Sequence, residues 1–255
     1  MMVHSMLRGG ALLAITLHSV AMANERLAFV SCPIVRDTPS VPCWLAEFKG
    51  ETYYLGIQTD VSADFFPPSL GHMVLVEGEK TNDARICGGI PISKVVVSVM
   101  PERADNCQTI LMAEEGYVLP FTPPRPPGPS YGRLAFVREE PAKPQPPYEA
   151  KTFELHYDFD RTVGFKHPRW LVQIIDYATL TGARSVTIKG YRGRTKLSDG
   201  GALTERTGLA EKRAQEIADL LKGAGLKAPE YKVSWQEKPD AGDASRRRVT
   251  VTVNP

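Results

Sequence analysis

The chain has 255 residues with 42% hydrophobic and 24% charged side chains, a globular balance that excludes a disordered or fibrous protein. Lysine plus arginine total 31 against 29 acidic side chains, and the formal net charge of +2 excludes a strongly basic nucleic-acid binder or a polyacidic tail. The balance conceals two unlike regions: residues 24–120 carry 13 acidic and 7 basic side chains, whereas 149–255 carry 19 basic and 14 acidic.

Residues 1–23 read as a signal peptide. Arg8 precedes an apolar run from Ala11 through Ala21, and Ala21-Met22-Ala23 has the small-x-small pattern after which signal peptidase cuts. The run is interrupted by His18 and Ser19 and is shorter than the ~20 residues that span a bilayer. The expectation is an exported chain starting at Asn24, with no transmembrane segment after processing. Export makes Cys32, Cys43, Cys87 and Cys107 disulfide candidates, and without C-x-x-C spacing or a histidine cluster no metal site is expected. Of the three connectivities, short loops between neighbouring strands favour Cys32 with Cys43 and Cys87 with Cys107.

Residues 24–120 alternate short apolar runs with turn formers. Leu27–Val30, Trp44–Phe48, Thr52–Ile57, Met73–Gly78, Val95–Val99 and Thr109–Leu111 read as strands, and nothing between them has sustained helical periodicity. The prediction is a disulfide-braced all-β domain, a small barrel or sandwich of OB-like or SH3-like kind. The segment 121–148 follows. Ten of the chain's 21 prolines lie between Pro120 and Pro147, which reads as a semi-rigid polyproline II spacer giving the two ends reach. Within it Arg133-Leu134-Ala135-Phe136-Val137 repeats Arg26-Leu27-Ala28-Phe29-Val30 letter for letter, one match that does not amount to a repeat architecture.

Residues 149–255 read as a second domain. Phe153, Leu155, Tyr157 and Phe159 alternate as a strand; Trp170, Leu171, Ile174, Ile175 and Ala178 recur at helical spacing after His167-Pro168; Val186 and Ile188 mark a second strand. A loop through Asp199 leads to a helix over about Thr204 to Lys222, and Tyr231–Trp235 and Val249–Val253 complete an order βαβαββ, two helices on one face of a four-stranded sheet. On the second helix Ala210, Ala214, Ile217 and Leu221 form the buried stripe, and Arg213 sits between that stripe and Leu209. A guanidinium there needs an anionic or carbonyl partner: a sheet carboxylate of this chain or a carboxylate supplied by a ligand, unless the side chain snorkels to water.

Three stretches bear on that choice: Ile188-Lys189-Gly190-Tyr191, Gly208-Leu209-Ala210-Glu211-Lys212-Arg213-Ala214, and Arg247-Arg248-Val249-Thr250-Val251. In this order they resemble the OmpA-like C-terminal domain family, over residues 149–255. The resemblance implies an α+β sandwich in the periplasm, associated with the cell wall or outer membrane and bound non-covalently to peptidoglycan, with an Asp and an Arg gripping the diaminopimelate of the stem peptide. The arginine falls on Arg213, and Tyr191, Leu209 and Arg247 fall on motif positions. The aspartate does not carry over, because Gly193 stands in its place, and Arg206 replaces the family's asparagine. Asp199, in a lengthened loop, is the candidate substitute carboxylate, against the plainer reading of a turn aspartate beside glycines.

No catalytic motif appears, and the histidines that follow the signal peptide, His72, His156 and His167, are scattered. The expectation is a non-catalytic envelope protein without cofactor, which binds peptidoglycan and presents its β domain to an envelope protein partner. The alternative is a protein-interaction scaffold whose OmpA-like part has lost peptidoglycan binding. Nucleic acid is not an expected partner.

Overall fold

The computed structural model describes residues 25–57, 70–114, 116–117, 119, 145–162, 170–227 and 230–255. The signal peptide, the proline-rich stretch up to residue 144, the second copy of the five-residue match and the predicted helix opening at His167-Pro168 lie outside the described residues. About half of the described residues are in strands, gathered in two sheets, with two helices. Among them no helix is long and apolar enough to cross a membrane.

The N-terminal region holds β1 (Arg26–Ser31), β2 (Pro33–Arg36), β3 (Cys43–Phe48), β4 (Glu51–Ile57), β5 (His72–Lys80), β6 (Ile90–Arg103) and β7 (Ile110–Leu111). They form one sheet in the order β1-β5-β6-β4-β3-β2-β7, so β1 and β7 are its edges. The six predicted strand segments fall on β1, β3, β4, β5, β6 and β7; β2 was not foreseen, since Cys32-Pro33 looks like punctuation. The sheet folds over itself. Phe29 of β1 stacks on Phe48 of β3 at 4.6 Å and leans on Tyr53 of β4 at 5.5 Å, although β5 and β6 lie between β1 and β4 in the pairing order. Leu27, Phe29, Leu55, Val74, Val76 and Val97 fill the fold.

Both disulfides form, but with a different connectivity from the one expected: Cys32 bonds Cys107 and Cys43 bonds Cys87. The β2–β3 register explains the correction. Cys43 lies opposite Arg36, whereas Cys32 sits just before Pro33, which lies opposite Ala46. The two are therefore offset by about four residues, roughly 13 Å, along the hairpin, too far for direct bridging. The Cys43–Cys87 bridge instead lies in a small cluster with Ile34 and Leu45, and Cys32–Cys107 ties the end of β1 to the β6–β7 connection.

The C-terminal region holds β8 (Lys151–His156), α1 (Trp170–Thr181), β9 (Ser185–Lys196), β10 (Ala202–Thr204), α2 (Leu209–Gly223), β11 (Glu230–Gly242) and β12 (Arg248–Asn254), with a 3₁₀ turn at Ala244–Arg246. The expected fold class, a barrel or sandwich followed by a four-stranded OmpA-like sandwich, is corrected. The chain is mostly β, and its second sheet has five strands, β10-β9-β12-β8 with β11 on the other side of β9. The physical reason lies in residues 193–208. β9 runs for twelve residues, long enough for Ala202–Thr204 to pair back on Arg194–Lys196, and the left-handed backbone of Gly208 (φ 82°) delays the helix until Leu209. β11 runs parallel to β9, and β12 antiparallel to both β9 and β8.

α2 lies hard against β9. A Cβ at Gly190 would sit 2.0 Å from the carbonyl oxygen of Ala210, so only glycine permits this approach. The stripe of Ala210, Ala214, Ile217 and Leu221 is buried together with Val186, Ile188, Val249, Val251 and Val253. Arg213 is drawn into the same layer.

Candidate functional site

Alternation on β12 places Arg247 on the face of Val249, and the first turns of α2 carry Arg213 inward from the opposite direction. Both guanidinium groups are fully buried, at 0% exposure. Between them passes the chain after β8: the Tyr157 ring lies 4.5 Å from the Arg213 guanidinium and the Phe159 ring 5.9 Å from that of Arg247. Burial pushes the Tyr157 hydroxyl pKa up, and the Arg213 charge offsets this only in part.

Arg213 is answered at every N–H. Nε donates to the Arg161 carbonyl at 2.8 Å; Nη1 donates to the Tyr191 carbonyl at 3.1 Å and to Glu205 Oε2 at 2.9 Å; Nη2 donates to the Asp158 carbonyl at 3.3 Å and to Glu205 Oε1 at 2.6 Å. A guanidinium has five N–H donors, and five bonds account for them. Glu205 is equally saturated. Beyond the fork of Arg213, its Oε1 accepts from the Asp160 backbone N–H at 2.9 Å and its Oε2 from that of Gly193 at 2.6 Å. Two charge-assisted bonds from Arg213 and two from backbone form a closed seat for one carboxylate, and the chain fills it itself.

Arg247 is answered from the other half of the molecule. Its Nη2 donates to Glu77 Oε2 of β5 at 2.5 Å, Nη1 to Thr195 Oγ1 at 3.2 Å, and Nε to the Tyr157 carbonyl at 3.3 Å. Thr195 Oγ1 donates in turn to Glu77 Oε1 at 3.0 Å, which closes a ring of three side chains. Glu77 is 2% exposed, so this is a dry ion pair across the contact between the two regions.

The same seam is pinned at its edge. The tip of the β9–β10 hairpin meets edge strand β1: the Ser198 N–H donates to the Ala28 carbonyl at 2.7 Å, and the Ala28 N–H donates to Ser198 Oγ at 3.0 Å. The Lys49 ammonium donates to the Ser198 carbonyl at 3.0 Å. Asp243, near Arg26 of β1, is held below the ordinary carboxylate pKa: burial would raise it, but bonds from Ser245 and the charges of Arg26 and Arg246 outweigh that effect.

The residues singled out in the sequence fall into this arrangement unequally. Arg213 and Arg247 are its two centres. Tyr191 lends its carbonyl to Arg213, while its ring carries the Arg248 guanidinium at 4.4 Å. Leu209 is buried at the start of α2. Arg206 is mostly exposed and bridges to Asp160 at 2.9 Å. Asp199 is at the hairpin tip, where its Oδ1 accepts from the Gly201 N–H at 2.8 Å in an Asx turn, and it makes no bond to Arg213. Gly193, where the resemblance places an aspartate, has no room for one: a Cβ there would lie 2.7 Å from Cγ of Arg247 and 3.6 Å from Oε2 of Glu205.

Sequence reasoning missed Glu205, Glu77, Thr195 and Ser198. Glu77 had a visible signal, an acid that directly follows the apolar run Val74-Leu75-Val76 of a strand. Glu205, eight residues before Arg213, had none, because the helix was expected to be already under way there. Among the described residues no group of His, Cys, Asp or Glu could hold a metal ion.

No protein-family model matches the chain, and no curated protein does. Among solved structures, a MotB-like protein from Desulfovibrio vulgaris is similar over 41% of this chain and 75% of its own, at 15% identity and a TM-score of 0.33. At that level the likeness carries no argument about function.

Proposed function

We propose that this protein is a non-catalytic scaffold of the cell envelope, whose C-terminal region grips its own carboxylate where the family resemblance implies a stem peptide, and is joined to the N-terminal β region. The observation that carries this reading is the complete pairing of Arg213. A ligand carboxylate would have to displace Glu205 from four bonds and leave it buried without partners, at a cost of several kcal/mol. The lengthened loop with Asp199 serves the seam instead, through its neighbour Ser198. The two regions on either side of the proline-rich segment touch through Glu77 and Arg247. Two disulfides and the signal-peptide pattern at residues 1–23 support placement in an oxidising compartment outside the inner membrane.

Sedimentation with purified peptidoglycan tests the reading without any substitution. The wild-type chain is expected to stay in the supernatant. Pelleting that free diaminopimelate-containing stem peptide competes away would overturn it.

A further inference from the structure

β1 and β2 follow each other in the chain, yet they lie toward opposite ends of the N-terminal sheet, β1 at one edge and β2 beside β7 at the other. Cys32, the residue between them, carries the crossover that lets the sheet fold over itself. Its disulfide pins that crossover to Cys107. Cys107 is fully buried and fixed by its own backbone: its carbonyl accepts from the Gly71 N–H at 2.7 Å, and its N–H donates to the Ala104 carbonyl at 2.8 Å. Cys32 is partly exposed, and the amide nitrogen of the exposed Asn106 side chain lies 4.0 Å from its sulfur. The other bridge is enclosed. Cys43 and Cys87 are 0% and 2% exposed and are packed with Ile34 and Leu45. Exchange requires a thiolate to reach a sulfur, so access separates the two bridges.

The accessible bridge restrains the edge that faces the C-terminal region. β1 is paired with β5 on one side, and on the other Ala28 shares two hydrogen bonds with Ser198. Cys32 is four residues beyond Ala28. Opening the bridge frees the crossover, and the last rungs of β1, Val30 opposite Leu75 and Ser31 opposite Val74, lose their anchor. β5 stays between β1 and β6, so Glu77 keeps its place against Arg247.

We infer that the Cys32–Cys107 bridge is a redox-sensitive strap: a dithiol reductant opens it ahead of Cys43–Cys87, and its opening loosens β1 and the contact with Ser198. A thiolate of the reductant attacks Cys32 Sγ, the S–S bond breaks, and Cys107 leaves as a thiolate that takes the proton of the reductant's second thiol. That second thiolate attacks the mixed disulfide and expels Cys32, which is protonated by water. The reductant ends as a disulfide, and its electron pair has passed to the protein. This device goes beyond the scaffold reading and does not depend on the Arg213 seat.

The full chain, with both bridges formed, is titrated with dithiothreitol at neutral pH and quenched at intervals by alkylation, and the four cysteines are followed by peptide mass spectrometry. Cys32 and Cys107 are expected to be alkylated at least about tenfold faster than Cys43 and Cys87. Equal rates, or the reverse order, overturn the inference. Amide hydrogen exchange is then measured at the dithiothreitol concentration that opens the first bridge. The Ala28 and Ser198 amides are expected to exchange about tenfold faster, with those of Val76 and Leu221 unchanged. Unaltered exchange at Ala28 and Ser198 with the bridge open overturns the strap as well. A chain carrying Cys32→Ser and Cys107→Ser repeats the second measurement without reductant; should it fail to fold, the wild-type titration decides.

Discussion

Arg213 and Arg247 are equally dry, with five hydrogen bonds from the first and three from the second, and their counter-charges have different origins. Glu205 lies eight residues from Arg213 and on the same sheet-and-helix layer, so that pair forms wherever the C-terminal region folds. Glu77 lies 170 residues from Arg247 and on another sheet, so that pair forms only when the two regions meet. The same chemistry therefore seals one site and joins two halves at the other. A buried pair in a single fold adds little net stability but is costly to break, whereas one at a separable contact can be relieved by opening to water.

The largest expected effect comes from breaking the seal. Glu205→Ala strands the Arg213 charge and two backbone N–H groups, and urea unfolding should register a loss of about 3–5 kcal/mol. Glu205→Gln combined with Arg213→Met removes both charges and should recover most of that loss. If the single and double variants are equally unstable, the pair is not the reason for the cost. At the seam, Glu77→Ala should cost less, about 1–3 kcal/mol, because undocking lets Arg247 reach water. Amide hydrogen exchange should then accelerate at Thr195–Ser198 while the α2 amides stay protected. Equal acceleration in both places would erase the distinction between the two arginines.

Gly193→Asp restores the residue that the family resemblance expects and should destabilise by about 1–3 kcal/mol through its clash with the Arg247 methylenes. The variant is expected to gain no affinity for peptidoglycan in the sedimentation assay. Ser198→Ala removes one of the two bonds between the hairpin tip and β1 and should cost about 0.5–1.5 kcal/mol in a thermal melt. Asp199→Ala, by contrast, should stay within about 0.5 kcal/mol of wild type, since only an exposed turn is lost.

Much of the local structure was legible in the sequence. Apolar alternation located the N-terminal strands and the inward side of β12, and the helical wheel located the stripe of α2, because those signals depend only on which face meets the core. Long-range pairing was not legible. The disulfides could not be assigned without the β2–β3 register, and the five-stranded sheet depended on how far β9 extends past Tyr191. For Arg213 the sequence posed the right question, an internal carboxylate against an external one, but the family resemblance pointed to the external carboxylate of a stem peptide. The answer was Glu205, in a stretch read as helix. Glu77 was harder still, since a carboxylate in a strand acquires meaning only when its counter-ion on another sheet is known.

The absence of a side chain at Gly193 has a further consequence. The hydrogen atom there leaves a keyhole through which the aliphatic stem of Arg247 passes on its way to Glu77, while the peptide N–H behind it holds Glu205. One backbone unit thus touches both locks at once, and any larger residue there would force a choice between them.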